Sequence, residues 1–263
     1  MAEVHRGLIE QSVNDRVKYI MEVMKQRGSV QVNDVAEVLG VSTATVRRDL
    51  QILEDKGLLQ RVYGGALPTG FSTTFEYLYH DKMDLRTTEK ERIAQAAAEE
   101  VQNGEAVFLD SGTTTYKLAQ KLQKKQNLTI ATVDLSIAAL IYDPTTQVVL
   151  TGGIVRQGYN VLVGSTAENF IRDMCVDKVF LTADAVDLDF GISNANYLEA
   201  GVKQQLAHAG RKTILVTDHS KFGKEALTRY CHLKDIHMII TDDGMPRDTA
   251  AKIREMGINL KCV

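Results

Sequence analysis

Tryptophan is absent from this 263-residue chain, and proline and cysteine occur three times each. The cysteines, Cys175, Cys231 and Cys262, are odd in number and far apart, with no pair at Cys-x-x-Cys spacing. That argues against a disulfide framework and against a zinc ribbon. The six histidines are scattered and form no His-Glu-x-x-His, so no metal site is expected. No apolar run approaches the roughly 20 residues that span a bilayer. Residues 1–16 have no apolar signal core, so a cytoplasmic protein with no membrane partner is expected. No Gly-x-Gly-x-x-Gly occurs, which removes a dinucleotide cofactor. Gly153 to Gly158 has the spacing of a nucleotide P-loop. However, Tyr159 and Asn160 stand where Lys and Ser/Thr are required, so nucleotide hydrolysis has no support and no cofactor is expected. The formal net charge is only −3, and residues 1–66 carry nine Lys/Arg against nine Asp/Glu. If that end binds nucleic acid, it must do so with placed charge rather than a basic flood.

What is present begins with helical spacing. Val17, Ile20, Met21 and Met24 fall at i, i+3, i+4 and i+7, one face of a helix that Gly28 would stop. A second short helix is expected over Val32 to Leu39, with Val35, Ala36 and Leu39 inward. Gly40 breaks the chain, Val41 plugs the gap, and Ser42 caps a third helix. Helix, glycine turn, helix is the helix-turn-helix pattern. On the third helix Val46, Leu50 and Leu53 share one side, while Ala44, Thr45, Arg47, Arg48 and Gln51 lie on the opposite arc. Those small, hydroxyl, guanidinium and amide side chains suit base edges and phosphates. Residues 57–66, GLLQRVYGGA, read as a β-ribbon in which Leu58, Leu59 and Val62 support Gln60, Arg61 and Tyr63, with Gly64 and Gly65 at the turn. Such a ribbon is a wing for the phosphate backbone or the minor groove. The candidate DNA contacts are Ser42, Thr43, Thr45, Arg47, Arg48, Gln51, Arg61, Tyr63 and Gly64.

The stretch VSTATVRRDLQILEDKGLLQRVYGGA resembles the winged helix-turn-helix of the DeoR/GlpR family of bacterial sugar-metabolism regulators. The match runs through Ser42, Thr45, Arg47, Arg48, Asp49, Gly64, Gly65 and Ala66. Residues 67–88 lack periodicity and hold Pro68 and Gly70, so a linker is expected there between domains at 1–66 and 89–263. Its aromatics Phe71, Phe75, Tyr77 and Tyr79 either dock on a domain or bury themselves locally.

From Glu89 the chain alternates amphipathic helices with short apolar strands, which implies a mainly parallel α/β sheet covered on both faces. Strands are expected at AVFLD, LTIATVD, QVVLTGG, DKVFLTAD, KTILVTD and HMIITDD. In open α/β sheets ligands sit beyond the carboxyl ends of the strands. Here those ends carry Asp110 to Thr115, Asp134, Gly152 and Gly153, Asp184, and Asp218 to Gly223. Asp110, Ser111, Gly112, Thr113, Thr114 and Thr115 form a nest of hydroxyls and backbone N–H groups suited to an anion. The set points to one polyhydroxylated, phosphorylated ligand.

The resemblance continues through this half, in FLDSGTTT, LTGG, Gly164–Ala167, Glu199–Lys203 and DHSKFG. It implies an effector domain similar in fold to sugar-phosphate isomerases. It also implies that Asp110 and Ser111–Thr115 contact a sugar phosphate, with Asp184, Lys203 and Lys221 lining the pocket. The chain departs from the family pattern at Val133, Thr182 and Ala185. Isomerase catalysis is the rival reading, with Glu199, Lys203 and Asp184 as its acid–base residues. Glu199 and Lys203 at i, i+4 equally describe an ordinary helix-surface pair. The fused DNA-reading head favours a regulator. The expected protein is a repressor of a carbohydrate operon, a homo-oligomer (dimer or tetramer) that binds operator DNA and a phosphorylated sugar or polyol.

Overall fold

The alternation of apolar positions in the first residues produces a three-helix unit around Ile20, Met24, Val35, Val46, Leu50 and Leu53, all buried. The computed structural model describes residues 15–24, 27, 29–56, 58–62, 64–68, 73, 74, 76, 79–141 and 143–263. Gly28, the expected stop of the first helix, lies outside them, as do Tyr63, Phe71, Phe75 and Tyr77. Helix α1 covers residues 15–24. Strand β1 (Val30–Gln31) leads directly into α2 (Val32–Leu39). Gly40, at φ +63°, ends α2 in the left-handed conformation that glycine takes without penalty. Ser42 then caps α3 (Thr43–Asp55) by accepting the Thr45 N–H at 3.2 Å.

The wing is β2 (Leu59–Val62) and β3 (Gly65–Pro68), antiparallel, with β1 on the far side of β3. One expectation fails here: Leu58 does not support the wing. It is exposed, and Leu59 alone is buried beneath. Leu58 precedes β2, in the bend by which the chain leaves α3, and so has no place on either face of the wing. Strand β3 also runs through Leu67 and Pro68, residues the sequence reading gave to the linker.

The chain divides into two units, Met1–Phe75 and Glu76–Val263. The second opens with α4 (Tyr79–Asp84) and α5 (Thr87–Glu99), in part of the segment expected to be linker. It is built on seven parallel strands. These are β4 (Ala106–Leu109), β5 (Thr129–Thr132), β6 (Gln147–Leu150), β9 (Val176–Leu181), β12 (Gly210–Val216), β14 (Met238–Thr241) and β15 (Asn259–Cys262). Their order across the sheet is β15-β14-β12-β9-β4-β5-β6. Six are the apolar runs expected from sequence; β15, an edge strand of mixed polarity, is not among them. Val107 and Leu109 point to one face, against α5, α6 (Thr113–Leu122) and α7 (Leu135–Leu140), while Phe108 points to the other. Phe180 alternates in the same way with Val179 and Leu181. Each of these fully buried side chains contributes about 1.5–3 kcal/mol.

The second face is covered by α8 (Ser165–Arg172), α9 (Tyr197–Leu206) and α10 (Arg247–Glu255). Two small additions lie beside it. One is the hairpin β7 (Ile154–Arg156) and β8 (Val161–Val163); the other is the antiparallel sheet of β10 (Ala185–Asp187), β11 (Gly191–Asn194) and β13 (Thr228–Cys231). The P-loop-like glycines belong to that hairpin: a Cβ on Gly153 would stand 2.8 Å from the Val163 carbonyl oxygen. The strand order reverses direction between β4 and β9. In a sheet of this kind that is where a crevice opens. No helix among the described residues is long and apolar enough to cross a membrane.

Candidate functional site

In the first unit the candidate reading surface is the outer arc of α3. Ser42, Ala44, Arg47 and Arg48 are exposed, and Thr43, Thr45 and Gln51 are half-buried. Neither Arg47 nor Arg48 is engaged by another described side chain. Asp49 behaves oppositely to the two arginines beside it. It is 2% exposed and accepts a two-pronged pair from Arg16, Nε to Oδ2 at 2.6 Å and Nη2 to Oδ1 at 3.0 Å. This strut ties α1 to α3 and presents the arginines outward. Gln51 and Arg61 are brought together: the Arg61 guanidinium donates to the Gln51 side-chain oxygen, and the Gln51 amide donates to Asp55 at 2.8 Å. The Arg61 backbone N–H donates to Glu54 at 2.7 Å, so helix and wing are joined twice. Gly64, at φ +81°, makes the wing turn, and its carbonyl accepts the Val32 N–H at 2.7 Å.

In the second unit, β4 and β9 end side by side, which places Asp110 next to Thr182. Asp110 is 1% exposed and accepts from the Thr182 N–H and hydroxyl, both at 2.9 Å, and from the Lys203 ammonium. Lys203 also donates to the Thr182 hydroxyl at 2.9 Å, and the Tyr230 hydroxyl donates to the Thr182 carbonyl at 2.6 Å. Ser111 donates to Asp134 Oδ2 at 2.8 Å, and Asp134 Oδ1 caps α7 through the N–H groups of Ser136 and Ile137. Burial raises the Asp134 carboxyl above its ordinary range against those hydrogen bonds. Thr113, Thr114 and Thr115 are buried in the first turn of α6, with the Thr115 hydroxyl turned onto the Gly112 carbonyl at 2.9 Å. No side chain caps α6. A Cβ on Gly112 would meet Thr182 Cγ2 at 2.8 Å, so only glycine lets the loop lie this close to β9. The family pattern's loss at Thr182 is thus filled by a hub residue that sequence reasoning did not select.

Asp184 and Lys203 do not share a partner. Asp184 pairs with Lys82 at 3.0 Å and accepts the Ala195 N–H at 3.1 Å. Burial pushes its carboxyl up, but Lys82 and Lys221 outweigh that and hold it below the usual range. Lys221 sits in the short 3-10 turn His219–Lys221, which Asp218 caps. Gly152 and Gly153 follow β6, at the opposite edge of the sheet from β15. Glu199 and Lys203 are both buried and bond elsewhere rather than to each other. Glu199 accepts from Arg156 and, at 3.1 Å, from Asn194. Burial, with Glu76 nearby, raises the Glu199 carboxyl. Glu76, Lys82 and Arg156 also belong to this cluster. The sequence gave no signal for the first two, which lie in the segment without periodicity.

Residues 16–68 match the family described as "DeoR-like helix-turn-helix domain", and residues 85–243 that described as "DeoR C terminal sensor domain". A putative aga operon transcriptional repressor of Escherichia coli O157:H7 is 36% identical over 249 residues, 94% of this chain and 93% of its own length. The glycerol-3-phosphate regulon repressor of Escherichia coli K12 is 32% identical over 244 residues, 92% of this chain and 96% of its own. Among solved structures, a ribose 5-phosphate isomerase from Plasmodium falciparum aligns with 51% of this chain and 52% of its own, at 14% identity and a TM-score of 0.37. Both of these relatives, matched over more than nine-tenths of either chain, are described as repressors, so the isomerase alternative falls. With a DNA-reading unit and a sensor domain matched in order on one polypeptide, the chain belongs to the DeoR family of DNA-binding helix-turn-helix transcriptional regulators.

Proposed function

We propose that this regulator represses a carbohydrate-utilisation operon, and that a phosphorylated sugar or polyol bound in the sensor domain sets its operator affinity. The observation that carries the reading is the α6 start: an uncapped helix terminus with three threonines in its first turn, beside Ser111, where the strand order reverses. The names of the two relatives, an aga operon repressor and a glycerol-3-phosphate regulon repressor, support the ligand class. The effector-contacting set is Asp110 to Thr115, Asp134, Gly152, Gly153, Asp184, Lys203 and Lys221. The DNA-contacting set is the outer arc of α3 with Arg61, Tyr63 and Gly64. The protein works as a cytoplasmic homo-oligomer on paired half-sites. Ligand acts by favouring one conformation over another, since equal affinity for both would shift nothing.

The test is fluorescence anisotropy at fixed salt on DNA from upstream of the protein's own gene, titrated with a panel of sugar and polyol phosphates. One compound should change the affinity, and Arg47→Ala should weaken binding by about tenfold or more and relax base preference. Ser111→Ala with Thr113→Val should leave DNA binding intact and abolish the ligand response. An affinity no better than for scrambled DNA, unmoved by any compound, refutes the reading.

A further inference from the structure

The charged cluster behind the sensor site contains one member that arrives from an unexpected direction. Glu76 is the first residue of the second unit, one peptide bond beyond the last residue of the first. Its side chain is 5% exposed and lies between two cations: Lys82 Nζ at 2.9 Å from one oxygen and Arg156 Nη2 at 2.8 Å from the other. Arg156 is held for this contact. Its guanidinium stacks on the Tyr159 ring at 3.7 Å and its other terminal nitrogen pairs with Glu199. One guanidinium nitrogen and an ammonium thus meet on one carboxylate, while Arg156 also pairs with Glu199 and Lys82 with Asp184, and two cations so placed suit a phosphoryl group as well.

Two further observations concern the surroundings of these cations. The Tyr79 hydroxyl, on the first residue of α4, is buried with no hydrogen-bond partner. A group left so costs free energy until an acceptor arrives. The recess lined by Asp110, Val133, Val161, Glu199, Val202 and Lys203 is too narrow to hold a water molecule. A ligand that reaches those residues must therefore displace something.

We propose that Lys82 and Arg156 bind the acidic group of the effector, and that the Glu76 carboxylate competes for that position as a tethered anion. The inference rests on the proposed sensing of a phosphorylated ligand and adds the residues that hold its charge. Binding expels the Glu76 carboxylate from its two cations at the first residue of the second unit. The ligand's signal is thus the loss of the Glu76 ion pairs with Lys82 and Arg156.

The probe is inorganic phosphate, titrated calorimetrically into the full-length wild type, Glu76→Gln, Glu76→Asp, Arg156→Gln and the Ser111→Ala/Thr113→Val double variant. Thermal melts verify that each is folded. Glu76→Gln should bind phosphate about tenfold more tightly, Glu76→Asp should fall between it and the wild type, and Arg156→Gln should lose binding. On operator DNA, Glu76→Gln alone should reproduce the affinity of the wild type saturated with phosphate. If folded Glu76→Gln and Glu76→Asp bind no more tightly than wild type, or Arg156→Gln binds normally, the clamp is overturned. Loss of binding in the double variant would then leave the loop reading standing. If no chain binds phosphate, the sensing of a phosphorylated ligand fails, and the clamp with it.

Discussion

Lys90 shows how one buried side chain sets a pH dependence. It is 6% exposed on α5, and its ammonium donates to the Lys82 carbonyl. Burial lowers its pKa to about 8; Asp218 opposes the shift, while Lys221, Lys82 and Lys117 reinforce it. The folded chain therefore holds this proton less tightly than the unfolded chain, whose lysine titrates near 10.5. Below pH 8 both states carry the charge, and folding bears the full cost of burying it. Between pH 8 and 10.5 only the unfolded state keeps the proton, so stability rises with pH across that window. Lys90→Met should flatten this rise and stabilise the protein at pH 7 by about 1–3 kcal/mol. Urea denaturation at pH 7, 8, 9 and 10 measures both effects. A variant with the same slope as wild type would place the titration elsewhere. No sequence pattern gives this, because the groups facing Lys90 are brought to it only by the fold.

At the scale of elements, Gly65 is the point on which the wing depends. A Cβ there would lie 1.9 Å from the Val30 carbonyl oxygen, so any larger residue forces β1 away from β3. Gly65→Ala should destabilise the first unit by about 2 kcal/mol or more and weaken operator binding, while the second unit's melting is unchanged. Circular dichroism melts with anisotropy on operator DNA test this. Equal stability would mean the three-stranded wing tolerates the loss of its edge. The Gly-Gly turn was legible in the sequence, but the reason for the second glycine was not, since β1 is two residues long and has no apolar signature. Strands β14, β12, β9, β4 and β5 were legible because burial on both faces makes them continuous apolar runs, and the edge strand β6 because its Val148, Val149 and Leu150 are apolar despite their exposure. In the hairpin β7–β8 and the β10–β11–β13 sheet, β7, β8 and β10 are only three residues long, while β11 (GISN) and β13 (TRYC) mix polar and apolar residues, so none shows an apolar run of four. The candidate site divides along the same line. Asp110 to Thr115 and Lys203 lie in or beside regular elements and were readable. Glu76, Lys82 and Thr182 join the candidate site only by juxtaposition.

For the molecule as a whole, the two units differ in how far along the chain their contacts reach. The first closes its core within one helix-turn-helix and wing. The second must join Val107 to Lys178 at the middle of its sheet. Local contacts form fast and distant strand pairs slowly. Stopped-flow refolding of the full chain should therefore show two phases, with Leu50→Ala altering only the faster and Phe180→Ala only the slower. A single phase sensitive to both would refute this. The same register has a consequence on the ribosome. Strand β4 emerges with β5 and β6 beside it, yet its other neighbour is β9, which is not complete until Leu181 is made. At about 5–20 residues per second, the future centre of the sheet stands as a bare edge of Val107, Phe108 and Leu109 for several seconds. The nascent protein is most exposed to misassembly in that interval, and what guards it then must act on a strand that the finished fold hides completely.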